Sequence, residues 1–341
     1  MDEKLINDIV WWIPFKKIRN FVKSYLIEIN EIYTRVHNIE NFIDYKFKNL
    51  NSNIKKLTPK THIDFIEIHL AENCNLNCYS CTHFSQLAKE EYYNIDIFER
   101  DLQRLYEITN GLINKIHLMG GEPLLNNNCK KYFYITRKYF KNSEIFLITN
   151  GILLPKQDED FWISCKENDI EIRPTKYPIK IDWEYIKNIS NKYGVSLYFY
   201  NDENIEKQSR KNIFDLSGKM DSFNSFIKCN LATNCIALHN GKIYPCGVAS
   251  NIRHFNNYFN QKLEITERDY IDIYKTKDYS EILEFLAKPI PFCRYCNTDK
   301  WNTFINWTTS KKIIDEYIDR PDQTRPDQTR PDQTRPDQTL K

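Results

Sequence analysis

From Thr61 onward, short apolar runs alternate with longer amphipathic stretches. Runs with strand character fall at 63–70, 115–119, Glu144–Thr149, 170–173 and 195–200, and helical spacing predicts 97–109, 129–140, 159–168 and Trp183–Tyr193 between them. Asp96 with Glu99 three residues later reads as the start of the first helix. Strands alternating with helices imply a parallel sheet with crossover helices, an α/β fold with its site at the C-terminal strand ends. Five strands are counted. Before Thr61 the pattern is different. Phe15, Ile18, Phe21, Val22, Tyr25 and Leu26 recur at helical spacing with Lys16, Lys17, Arg19 and Lys23 between them, after an aromatic opening at Trp11 and Trp12. Such a basic amphipathic helix can lie on an anionic membrane surface, or pack on the main domain or a partner. A second helix is read from Glu31 to Leu50, with Ile32, Val36, Ile39 and Ile43 on one side.

The predicted strand ends carry the chemistry. Cys74, Cys78 and Cys81 stand in a C-x3-C-x2-C spacing just after the first strand. Three thiolates on one loop can share a metal centre, and on a four-iron cluster they leave one iron open. The other readings are three unrelated buried thiols, or half of a zinc site. A disulfide framework does not suit a chain of this length with no visible signal peptide. The second strand ends in Gly120, Gly121, Glu122 and Pro123. Glycines let a ligand approach the backbone, and a carboxylate can hold an ammonium group. Asn150 precedes Gly151 at the third strand end, and Arg173, Thr175, Lys176 and Tyr177 follow the fourth. These could face a substrate, or form a turn and a solvated loop. His83 could line the same cavity, although a lone histidine is more often structural. Cys129 and Cys165 fall in helices and read as ordinary buried thiols.

The cysteine loop and the Gly-Gly-Glu-Pro strand end together resemble the radical SAM superfamily. The resemblance spans roughly Ile63 to Trp301. It implies a partial (β/α)6 barrel, here shortened, and a 4Fe–4S cluster on Cys74, Cys78 and Cys81 whose open iron chelates S-adenosyl-L-methionine. Gly120, Gly121, Glu122 and Pro123 would contact the methionine amino group, with Asn150 nearby. The superfamily often places an aromatic just before the third cysteine. Here that position is Ser80 and the aromatic is Tyr79, which becomes the candidate for the adenine contact.

Further along, Cys229-x11-Gly241-x4-Cys246 precedes Cys293-Arg-Tyr-Cys296. Asn240-Gly241 between 236–238 and Lys242–Tyr244 is a hairpin signal. Taken alone, four such cysteines favour a structural zinc. Behind a radical SAM core they resemble the twitch form of the SPASM-type domain, which implies a second, auxiliary 4Fe–4S cluster on Cys229, Cys246, Cys293 and Cys296. Cys235 is left over. It could replace Cys229, act as a redox thiol, or be inert.

The resulting organisation is an N-terminal helical extension (1–60), a barrel (61–222), a β-hairpin/helix auxiliary domain (223–310) and a tail (320–341). The tail repeats Arg-Pro-Asp-Gln-Thr four times, and the repeats have no apolar residue with which to build a core.

Composition narrows the class. A chain of 341 residues, 41% hydrophobic and 28% charged, supports one large or two smaller cores. A net charge of +2 gives no general case for nucleic acid. No apolar run approaches a membrane span. Ten cysteines without a leader suit a reducing, cytoplasmic setting, with contact at the inner membrane face as an option. The resemblance implies reductive cleavage of S-adenosylmethionine, with flavodoxin or ferredoxin as electron donor, and hydrogen-atom abstraction from a substrate. Peptide maturases often carry a strand-containing leader-binding domain, which the helical first 60 residues lack. A small sugar-like substrate of surface-polysaccharide assembly is therefore favoured, since the Trp11-Trp12-Ile-Pro-Phe opening resembles proteins of such clusters. Oxidation is preferred to epimerisation, with Cys235, Arg173 and Lys176 as catalytic candidates. A peptide maturase, or a non-catalytic iron–sulfur or zinc module, is the alternative.

Overall fold

The structure, a computed structural model, describes residues 3–200, 207–301 and 304–319. The Arg-Pro-Asp-Gln-Thr repeats lie outside the described residues. The chain divides into two compact units at Thr58–Pro59. The first holds α1 (Glu3–Val10) and α2 (Lys16–Leu57). The two helices expected here after Pro14 are one continuous helix of 42 residues, because no glycine or proline interrupts it. Ile6 and Val10 of α1 are buried, whereas α2 buries none of its residues.

The second unit starts with β1 (Ile63–Ala71), followed by α3 (Ile95–Thr109), β2 (Ile113–Gly120), α4 (Cys129–Tyr139), β3 (Glu144–Thr149), α5 (Glu159–Glu167), β4 (Ile170–Pro174) and α6 (Trp183–Tyr193). It continues with β5 (Gln208–Arg210), α7 (Ser222–Lys228), β6 (Ala237–His239), β7 (Lys242–Tyr244), α8 (Gly247–Phe259), β8 (Ile271–Asp272), α9 (Tyr279–Leu286) and β9 (Phe304–Asn306). The main sheet runs β4-β3-β2-β1-β6-β7-β8 and is parallel from β4 through β6. This is the α/β architecture expected from the alternation. The C-terminal hairpin β6–β7 extends the same sheet, with Glu67 and Ile68 of β1 in register with Ala237 and Leu238.

Strand alternation sorts the side chains. Ile66, Ile68 and Leu70 of β1, Ile116 and Leu118 of β2, and Leu147 of β3 are fully buried in one core with α3 and α4. Each such side chain contributes roughly 1.5–3 kcal/mol. The opposite face carries a row set by register: Glu67 beside His117, and His117 beside Phe146. That face lines the cavity described below.

Two local expectations are corrected. Asn94, not Asp96, caps α3: its side chain accepts from the backbone N–H of Asp96 and Ile97, and Asp96 sits in the first turn beside the positive helix end. The 195–200 run is extended beside β4 but too sparsely bridged to count as a full strand. Leu197 makes one parallel bridge to Ile172, Ile172 N–H donates to Ser196 O (2.9 Å), Tyr198 N–H to Ile172 O (3.1 Å) and Tyr200 N–H to Pro174 O (2.8 Å). Its aromatics also pack sideways, Tyr198 over Arg173, Phe199 on Trp183 and Tyr200 on His117.

Candidate active site

Residue spacing alone does not bring the cysteine loop to the Gly-Gly-Glu-Pro strand end; the β1–β2 pairing does. Gly121 N–H donates to Ala71 O (2.8 Å) and Glu122 N–H to Asn73 O (3.0 Å). A Cβ on Gly120 would lie 2.1 Å from Ala71 O, and one on Gly121 2.1 Å from Asn73 O. Only glycine allows this approach. The residues leading into Cys74 are thus stapled to the end of β2.

Cys74, Cys78 and Cys81 all line one cavity of about 400 Å³, together with Tyr79, Gly120, Gly121 and Asn150. Burial raises the Cys74 thiol well above its usual value, and burial together with Cys81 pushes Cys78 up to about 11. Burial also acts on Cys81, but its contact with His83 outweighs it and holds that thiol below the ordinary value. Burial alone would lower the His83 imidazole, yet its contacts with Cys81 and Glu67 prevail and raise it to about 10. His83 therefore lines the cavity beside the cysteine loop, with Cys81 and Glu67 favouring its protonated form. Cys74 feels the charges of both other thiols, so the three occupy one shared space. Among the described residues no three donors close on a single ion, but a four-iron cluster is larger than one ion, and three thiols lining one cavity suit a cluster that needs three thiolates and an open position. Leu76 N–H already points at Cys74 Sγ (3.3 Å), a donor suited to a thiolate.

Glu122 is placed differently from a cavity-facing clamp. It is fully buried, accepting from Thr149 Oγ1 (2.6 Å), Asn150 N (2.8 Å) and Leu124 N (3.2 Å). Burial outweighs these bonds and raises its carboxyl to about 7. Pro123 is buried in the short turn that follows. Glu122 therefore fixes the end of β3 against the end of β2. Asn150, held by that bond, turns its amide to Asn75 Oδ1 (2.7 Å) beside Cys74.

Other candidates separate. Thr175 and Tyr177 line the cavity, and Tyr177 packs edge-on to Trp307 (5.8 Å) next to Cys78. Arg173 and Lys176 are not among the lining residues; Arg173 pairs with Glu171 and stacks between Phe146 and Tyr198. Cys129 and Cys165 are buried in α4 and α5. Two lining residues are absent from the reading of the sequence. Glu67 is 5% exposed, and His83 Nε2 stands 3.6 Å from its Oε2. His117 lies in register beside it, and burial lowers its imidazole to about 4. Polar residues at the alternate positions of otherwise apolar strands were the available signal. Cys235 also lines the cavity, in contact with Glu67.

The second cysteine group sits in a separate aromatic core with Phe226, Phe255, Phe292 and Trp301. Cys296 feels the charges of Cys293, Cys229 and Cys246, so the topology gathers all four. Leu231 and Ala232 N–H both point at Cys229 Sγ (3.3 Å each), and Cys246 stands at the start of α8. Among the described residues no three such donors close on a single ion. The donor chemistry, four thiols with backbone N–H groups aimed at sulfur, suits an iron–sulfur cluster. No cysteine is in a disulfide.

No protein-family model matches the chain. It is 36% identical over 100 residues to the GTP 3′,8-cyclase of Clostridium acetobutylicum and 31% identical over 98 residues to that of Clostridium botulinum, in each case 29% of this chain. The chain spans about 31% of the length of these curated relatives. Among solved structures, BtrN in complex with AdoMet and 2-DOIA aligns with a TM-score of 0.46 and 14% identity, over 73% of this chain and all of that one. SuiB of Streptococcus suis bound to precursor peptide SuiA aligns with a TM-score of 0.34 and 12% identity, over 78% of each. A three-cysteine loop of this spacing is thus stapled to a Gly-Gly-Glu-Pro strand end on a parallel α/β sheet, in a chain similar over about 100 residues to these GTP 3′,8-cyclases.

Proposed function

We propose that this chain is a radical SAM enzyme that removes a hydrogen atom from a small hydroxylated molecule, of the nucleotide- or lipid-linked sugar class used in surface-polysaccharide assembly. The observation that carries the reading is the cavity: Cys74, Cys78 and Cys81 line it together with the buried carboxylate of Glu67. Cys74, Cys78 and Cys81 would hold the cluster, which when bound would supply the electron for reductive cleavage of S-adenosylmethionine. Gly120, Gly121 and Asn150 line the cavity beside the cysteines, where the methionine end would lie. Glu67 accepts a hydrogen bond from the substrate hydroxyl on the reacting carbon and takes its proton as that carbon is oxidised. Tyr177 and Trp307 pack together in the lining beside Cys78, where their rings would help exclude the water that a radical site must avoid. Cys229, Cys246, Cys293 and Cys296 would hold the auxiliary cluster, whose chemistry when bound is one-electron transfer.

Epimerisation is the second reading, and one observation favours it: Cys235 lines the same cavity, in contact with Glu67, where a thiol could return a hydrogen atom to the substrate radical. A peptide substrate is the further alternative. The test is anaerobic reconstitution with S-adenosylmethionine and a panel of nucleotide sugars. Replacing Cys74, Cys78 and Cys81 by alanine should abolish 5′-deoxyadenosine; undiminished formation sinks the proposal. Glu67→Gln should retain 5′-deoxyadenosine formation while substrate turnover falls about 100-fold. In deuterated water, a ketone identifies oxidation. A product carrying one solvent deuterium, lost in Cys235→Ala, identifies epimerisation.

A further inference from the structure

Helix α2 presents a long apolar stripe that nothing in its own unit buries. Ile29, Ile32, Val36, Ile39, Ile43 and Leu50 are all exposed, by 43–57%. Stripes of this size on a protein surface mark interaction sites. The spacing of this stripe says what kind. Every seventh residue from 22 to 57 is aliphatic: Val22, Ile29, Val36, Ile43, Leu50, Leu57. Three residues after the first four of them stand Tyr25, Ile32, Ile39 and then Lys46. This is a heptad whose a row is aliphatic from Val22 to Leu57 and whose d row is apolar through Ile39. A straight α-helix drifts about 20° per heptad against a strict seven-residue repeat. Over the five heptads from Val22 to Leu57 the stripe therefore turns by about 100° away from any flat surface, whether a lipid headgroup layer or a globular face. Only another helix, wound around this one, keeps it covered along its whole length.

The flanking positions say which helix. When two such helices lie parallel and in register, each g position faces the e position five residues on in its neighbour. Here Arg35 would face Glu40, Phe42 would face Phe47, and Glu28 would face the hydroxyl-bearing Tyr33. All three pairs are complementary when the second helix has the sequence of the first. An antiparallel pairing faces g with g and e with e, which separates Arg35 from Glu40. β-Branched residues in the a row favour two strands, and polar d residues such as Lys46 and Asn53 fix register at some cost in stability. Between residues 28 and 45 the helix carries Glu28, Glu31, Glu40 and Asp44 against Arg35, so this part of it is not built for an anionic lipid surface.

We infer that α2 pairs with α2 of a second copy of this chain in a parallel, in-register coiled coil, with its seam running from Ile29 to Leu57. The inference is independent of the reaction. It is tested on the full-length chain by sedimentation equilibrium at micromolar concentration. The expected result is twice the mass of the chain, falling to one chain in the Ile32→Lys, Ile39→Lys double variant. Arg35→Glu alone should weaken the dimer, because it sets a second carboxylate against that of Glu40 across the seam. Adding Glu40→Arg should restore the dimer. That rescue separates a register-specific seam from a helix that has merely unfolded. A full-length chain of monomer mass overturns the inference. So does a dimer unaffected by the lysine pair, or a charge swap without rescue. A monomer that binds anionic vesicles would assign the stripe to lipid instead.

Discussion

Glu122 shows how a motif residue can act without facing the ligand. Its two carboxylate oxygens accept three hydrogen bonds from Thr149, Asn150 and Leu124 in a dry environment. Glu122→Ala leaves those donors buried and unpaired, at a cost of about 3 kcal/mol measured by urea unfolding. It should also weaken S-adenosylmethionine binding, because Asn150 loses its anchor; binding unchanged in the variant would count against that role. A second prediction concerns acid. Burial holds the His117 and His239 imidazoles at about 4, against about 6.5 when unfolded. Between those values the unfolded chain binds more protons than the folded one, so stability falls as pH drops from about 6.5 to about 4. Each histidine contributes up to about 3 kcal/mol to that loss. Urea midpoints followed against pH should flatten in His117→Gln and His239→Gln. Neither histidine stands out in the sequence. Each becomes informative only when strand register places His117 beside Glu67 and the hairpin brings His239 near Glu72 (3.7 Å).

At the scale of elements, the sequence specifies what is local. The β3 strand and α6 have the expected bounds, because each is a short periodic run with turn or cap residues at both ends. The hairpin follows from Asn240 and Gly241, which adopt φ values of 47° and 71° as that turn requires. The close approach of Gly121 to Asn73 is equally local in cause but not in reach. Gly121→Ala drives a Cβ into a backbone oxygen, so the cysteine loop must move off the end of β2. The expected outcome is a loss of at least about 2 kcal/mol, together with lower iron uptake on anaerobic reconstitution. A variant with wild-type stability and iron content would show that the staple is dispensable. The 195–200 run is a partial case: it follows β4 through three backbone hydrogen bonds, but its aromatics also pack sideways at the edge, and pattern does not distinguish such a segment from a full strand.

For the whole molecule, the second unit closes on its own C-terminal segment. Tyr317 is fully buried against Phe84, Phe214 and Phe255, its hydroxyl accepts from Gln86 Nε2 (2.6 Å), and its carbonyl accepts from Phe214 N (2.7 Å). Ending the chain after Ser310 should lower stability by at least about 4 kcal/mol in urea unfolding, the loss of a buried aromatic; an unchanged midpoint would show that Tyr317 is dispensable. The auxiliary segment read as 223–310 thus packs with residues beyond its expected end, and its hairpin extends the β1 side of the main sheet. By itself the sequence determined the strand–helix order, the three-cysteine loop, the Gly-Gly-Glu-Pro strand end and the four later cysteines, because each is a spacing along the chain. It also carried the heptad of α2, which is a period. The tertiary structure alone decided that Glu67, His117 and Cys235 share a cavity with the cysteine loop, that Glu122 turns inward, and that Arg173 and Lys176 stay off the lining. Those facts depend on which face of a strand meets which neighbour, and register between strands far apart in sequence is set by packing of the whole sheet rather than by any local run of residues.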